Sequence, residues 1–136
     1  MMNEPTTGNQ FVNPQQLAPP TGYTHAVMAS GGRMVFIAGQ VALDPVGKMV
    51  GPGDMRAQTE QVFRNIQIAL EAVGAGFDDV VKLTYYIRDI SQMAAIREVR
   101  DQFISANRLP ASTAVEISRL VRPEFLIEID AIAVVA

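Results

Sequence analysis

The stretch Ile127-Glu128-Ile129-Asp130-Ala131-Ile132-Ala133-Val134 decides the architecture. Successive side chains of a strand point to opposite faces. Ile127, Ile129, Ala131 and Ala133 therefore share one face, and Glu128, Asp130, Ile132 and Val134 the other. One face is wholly apolar, and the second turns apolar halfway along. A strand of this kind needs a cover on its first face and leaves a second face that also favours burial.

Working back from it, Thr113 to Leu120 reads as the preceding strand, with Phe125 to Val135 as the last and a turn around Val121 to Glu124 between them. Pro110 stops a helix expected from about Ser91 to Ala106, whose inner stripe is Met93, Ile96, Val99 and Phe103. Val80 to Arg88 alternates, with Val81, Leu83, Tyr85 and Ile87 against Lys82, Thr84 and Arg88. Asp54 caps an earlier helix, marked by Val62, Ile66, Ala69, Leu70 and Val73 and ended by Gly74 or Gly76. Leu43 to Gly53, with two prolines and three glycines, is a loop. Tyr23 to Ala29 and Met34 to Val41 read as a hairpin about Ser30-Gly31-Gly32-Arg33.

The order is β-β-α-β-α-β-β, an α+β domain over residues 20–136 with a mixed sheet. Residues 1–19 form a flexible arm with no basic start or apolar stretch, so nothing reads as a signal peptide. Two helices can cover one face of such a sheet but hardly both. The other face asks for a partner, and self-association is the economical answer.

Composition narrows the function. Hydrophobic residues make up 49% of the 136-residue chain and charged residues 18%, which is globular. The net charge of −3 offers no field toward nucleic acid or anionic lipid. With one histidine, His25, and no cysteine, neither a zinc site built from His and Cys nor a thiol nucleophile is available within one chain. No phosphate-binding loop or nucleophile elbow is present. A cytoplasmic protein that binds neither nucleic acid nor membrane is the expectation.

Glu128 and Asp130 share a face of an otherwise apolar strand. Carboxylates there are either paired, for instance to Lys82, or held for acid–base work. His25 is either a structural or a catalytic histidine. Gly39-Gln40 ends a strand as a simple bulge or as a point of close ligand approach. Arg97 and Arg100 read as solvated helix charges.

Several of these segments resemble one family. Met34-Val35-Phe36-Ile37-Ala38-Gly39-Gln40, the pair Gln58 and Asn65, Asp79-Val80-Val81-Lys82, Val115-Glu116-Ile117 and the final strand follow the order of the Rid (YjgF-like) reactive-intermediate deaminases. The resemblance spans roughly residues 20 to 136. It implies a chorismate-mutase-like fold with two helices on one face, and a homotrimer holding small-molecule ligands in clefts between subunits. It also implies hydrolysis of imines and enamines such as 2-iminobutanoate without cofactor or metal; a non-catalytic metabolite-binding trimer is the alternative. The family glutamate falls on Glu128, which would orient water and carry its proton. Gly39 and Ala114 would line the cleft, and an aromatic of the first strand falls near Tyr23 or His25. Where the family pattern reads Pro-Ala-Arg-Ser, this chain has Pro110-Ala111-Ser112-Thr113. Ser112 thus replaces the carboxylate-gripping arginine, and Arg97, Arg119 and Arg122 are the candidate substitutes.

Overall fold

The computed structural model describes residues 8–136, so the first seven residues of the expected arm lie outside it. The strands are β1 (Gly8–Val12), β2 (Ala26–Ser30), β3 (Arg33–Gln40), β4 (Val80–Ile87), β5 (Ala111–Glu116) and β6 (Ile127–Val135). The helices are α1 (Met55–Ala72) and α2 (Met93–Arg100). β3, β6, β4 and β5 form a four-stranded sheet in that order, with β4 and β5 parallel and the other neighbours antiparallel. β1 and β2 form a separate antiparallel ribbon.

The alternation of β6 holds along its whole length. Ile127, Ile129, Ala131, Ala133 and Val135 are buried, and each residue between them is half-buried. The buried set packs under α1, with its Val62, Phe63, Ile66 and Leu70, and α2 joins the same core through Ile96 and Val99. The Phe63 ring lies at its centre, stacked on Phe103 at 5.4 Å and tilted against Phe77 at 6.0 Å. Both helices thus cover the same face.

α1 begins as its sequence dictates. Asp54 Oδ1 accepts from the Ala57 amide at 3.0 Å, and Gly74 (φ 76°) closes the other end while the Ala75 amide returns to the Leu70 carbonyl. Two polar side chains on α1 fasten loops. Buried Gln58 donates to the Gly51 and Glu124 carbonyls and accepts from the Leu126 amide. Asn65 donates to the Val41 and Leu43 carbonyls, 3.0 Å each. Their spacing thus serves loop closure at both ends of the strands.

Several sequence expectations change. Residues 8–12, expected in the arm, pair with β2, and Asn9 Nδ2 reaches the Asp79 and Val134 carbonyls. β2 and β3 share a tight turn but no ladder, so they are not a hairpin. Tyr23 and His25 precede β2 instead of lying on it. A register shift between Val80 and Lys82 makes Val80 the buried residue in place of Val81. Val73 caps α1 and is 46% exposed, outside the inner stripe. α2 stops at Arg100, because the chain turns there to carry Phe103 and Ile104 into the core. β5 starts at Ala111 and ends at Glu116, and β6 starts at Ile127.

Candidate functional site

A cavity of about 200 Å³ lies between α2 and the edge strand β5, closed by residues 21–23. Ser112 and Ala114 line it from β5. They register with Leu83 and Tyr85 on β4, both buried, so they face the helix side of the sheet. Tyr85 forms part of the wall, and burial pushes its hydroxyl up to about 12 against the opposing pull of the Arg100 guanidinium.

Arg100 is 8% exposed, contrary to the solvated charge its sequence suggested. Its Nη1 donates to the Gly22 carbonyl at 2.9 Å, and Nε and Nη2 both donate to Asp101 Oδ1. Gly22 has φ 81°, and a Cβ there would stand 2.8 Å from Arg100 Nη1, so glycine is needed for both reasons. On the far side of Tyr23, the Thr24 amide donates to the Pro110 carbonyl and its hydroxyl to the Leu109 carbonyl. Tyr23 is thereby held over the cavity between two anchors. Arg97 sits exposed on the rim, and its side chain makes no hydrogen bond or ion pair among the described residues.

His25 lies outside this cavity. Its Nε2 is 2.7 Å from the Ala18 carbonyl, and its amide donates to Asn13 Oδ1, which ties the segment after β1 to the start of β2. Tyr23 is therefore the first-segment aromatic that lines the cavity. Arg119 borders a separate hollow with Arg88, and Arg122 is paired to Glu124 at 2.6 Å over the Phe125 ring.

Glu128 and Gly39 meet on the opposite face. Residues 38 and 39 form a bulge where β3 passes β6, and a Cβ at Gly39 would collide with Glu128 Oε2. Partial burial, then the nearby Asp130 charge, raises the Glu128 carboxyl above its ordinary value. Asp130 accepts from the Tyr86 hydroxyl at 3.2 Å, and its charge raises the tyrosine in turn. Lys82, the expected partner of these acids, donates to Thr113 Oγ1 at 2.8 Å instead. Glu128 registers with Tyr86, and Tyr86 with Val115, so Glu128 faces away from Ser112 and Ala114. Within one chain the sheet therefore separates the acid from the cavity.

A wider hollow, about 480 Å³, runs between Gly39–Val41 and the Ile68–Ala72 side of α1. Its lining is mainly apolar; its one carboxylate, Asp44, accepts from the Val46 and Lys48 amides, and the Asn65 amide is occupied. Size alone does not make it the reactive site. Among the described residues no group of three or more His, Cys, Asp and Glu is placed to hold a metal ion, and no helix is long and apolar enough to cross a membrane.

The sequence reading missed Tyr85, Arg100 and Gly22 as site residues. The signal for Arg100 was the spacing of Met93, Ile96, Arg97 and Arg100, which sets two arginines beside an apolar helix stripe.

The fold is shared by known proteins. The endoribonuclease L-PSP family model matches residues 13–135. A RutC family protein of Pyrococcus horikoshii is 41% identical over 120 residues, covering 88% of this chain and 90% of its own. The 2-iminobutanoate/2-iminopropanoate deaminase of Rattus norvegicus is 32% identical over 112 residues, covering 82% of this chain and 79% of its own. The crystal structure of YyfB, a Rid family protein of Yersinia pestis, superposes with a TM-score of 0.87 at 37% identity, covering 93% of this chain and 98% of that one. The chain therefore belongs to the endoribonuclease L-PSP family, whose members also carry the YjgF, Rid and RutC names.

Proposed function

We propose that the protein hydrolyses a small imine or enamine to the corresponding carbonyl compound and ammonia, in clefts formed between the subunits of a homotrimer. Water adds to the carbon of the C=N bond, the nitrogen takes up protons, and the adduct collapses with loss of ammonia. Such chemistry needs a group that both accepts and returns a proton. Glu128 suits it, because its carboxyl is already raised by partial burial and a neighbouring charge. This single observation carries the reading.

The separation of Glu128 from the Ser112–Ala114 cavity supports an assembly in which one subunit supplies the acid and another the cavity. Phe36 and Met34, 69% and 63% exposed on the same face as Glu128, supply apolar surface for such contacts. The family's endoribonuclease name does not extend to this proposal, since a chain of net charge −3 carries no net positive field to draw in a polyanion. A non-catalytic trimer that only holds a metabolite is the second reading, favoured by the serine at position 112.

Turnover of 2-iminobutanoate separates the two. The catalytic reading expects hydrolysis above the uncatalysed rate and a loss of about 10²–10⁴ in kcat for Glu128→Gln. Binding without turnover, or turnover untouched by Glu128→Gln, contradicts it.

A further inference from the structure

We infer that the hollow between Arg88 and Arg119 is a second ligand site, which takes the phosphate group of a small phosphomonoester. The site is separate from the α2–β5 cavity and does not depend on how that cavity is read.

The hollow, about 410 Å³, is lined by Arg88, Ser118, Arg119, Leu120, Val121 and Pro123. It forms at the end of β4. There the Ile117 amide donates to the Ile87 carbonyl and the Arg88 amide to the Leu126 carbonyl, which fastens both ends of the connection between β5 and β6. Arg88 is half-buried, and its Nη1 donates to the Pro123 carbonyl at 3.3 Å. That bond fixes the guanidinium and leaves Nε and Nη2 without an acceptor among the described residues. The Arg119 guanidinium and the Ser118 hydroxyl are also without a partner among the described residues.

Exposed arginines are ordinarily solvated, which accounts for either residue alone. It does not account for the pair. Among the described residues Arg33, Arg88, Arg97 and Arg119 have no carboxylate within 4.0 Å. Arg33 and Arg97 border separate hollows, whereas Arg88 and Arg119 border the same one. Two like charges beside one hollow repel, and an anion between them relieves the repulsion. The acids nearest in the chain are turned elsewhere. Asp89 accepts from the Ser91 amide at 3.0 Å, Glu116 from the Ile90 amide at 3.1 Å and Glu124 from Arg122 at 2.6 Å. The amides of Ser118 to Val121 add donors that no protein acceptor uses among the described residues. Two guanidiniums and a hydroxyl suit a phosphomonoester, which offers three acceptor oxygens and a charge of about −1.5 to −2 at pH 7. Leu120, Pro123 and the 84% exposed Val121 give its organic part an apolar wall. The net charge of −3 supplies no long-range attraction, so recognition is local to these groups.

The test is calorimetric titration with phenyl phosphate and with inorganic phosphate at physiological salt. Phenyl phosphate should bind the more tightly of the two. Arg119→Ala and Arg88→Gln should each weaken it by about tenfold to a hundredfold, the worth of one charge-assisted contact. Arg119→Lys should keep part of the affinity, and Arg97→Ala should leave it unchanged. Arg119 is exposed and unpaired, so its variants should fold as the wild type does and carry the test if Arg88→Gln does not. No binding of phenyl phosphate at millimolar concentration, or equal binding of the two phosphates, overturns the inference. An affinity that survives Arg119→Ala, or one lost in Arg97→Ala, overturns it as well. So does a change of mass in solution for Arg119→Ala, which would make this arginine a contact between copies of the chain.

Discussion

The two faces of the four-stranded sheet are built from the same strands and obey different rules. Toward the helices, β6 presents Ile127, Ile129, Ala131, Ala133 and Val135, all buried in the core that α1 and α2 share. On the other face the same strand presents Glu128, Asp130, Ile132 and Val134, all half-buried, beside the exposed Phe36 and Met34 of β3. The first face is complete within one chain. The second combines apolar surface that single-chain packing leaves open with a carboxylate raised by partial burial and by Asp130. The comparison teaches that the chain devotes one side of its sheet to folding, and the proposed function assigns association and chemistry to the other.

That contrast can be strained from both sides. The largest effect should come from the covered face. Phe63→Ala removes the ring against which Phe77, Tyr85 and Phe103 pack, and should cost about 3–5 kcal/mol of unfolding free energy in a denaturant titration. A loss below about 1 kcal/mol would mean that this face is not the core described.

The smaller effect lies on the open face and has the opposite sign. The Glu128 carboxyl is raised in the folded chain, first by burial and then by Asp130. Between its unfolded pKa and the higher folded value, the folded state binds more protons than the unfolded one. Its contribution to stability is therefore present below the unfolded pKa and is lost as pH rises through the folded value. Glu128→Gln should melt at or above the wild-type temperature at pH 7, and the gain should vanish below pH 4 (both by calorimetry). A mutant less stable than the wild type at pH 7 would show that Glu128 is a structural carboxylate, and the division between the faces would blur.

How much of this was legible in the sequence follows the same division. The β6 alternation could be read because a period of two is local, and α1 because Asp54 and Gly74 carry their own end signals. β1 could not, because Gly8–Val12 owes its order to β2 and to the reach of Asn9 to Val134. The end of α2 was misplaced by helical periodicity, since the demand for Phe103 beside Phe63 overrides it. Glu128 was legible as an acid on an apolar strand. Its distance from Ser112 was not, because that depends on which strands neighbour one another. Arg100 looked solvated for a similar reason: its acceptor, the Gly22 carbonyl, lies 78 residues away in the chain.

The central claim is that the open face is an assembly face, and the mass of the protein in solution tests it most directly. Native mass spectrometry or sedimentation should give three times the 14.8 kDa of one chain, and Phe36→Lys should shift that mass toward the single chain while leaving its circular dichroism unchanged. A wild-type protein that stays at 14.8 kDa at micromolar concentration would contradict the account, because Glu128 would then have no second subunit's cavity to meet.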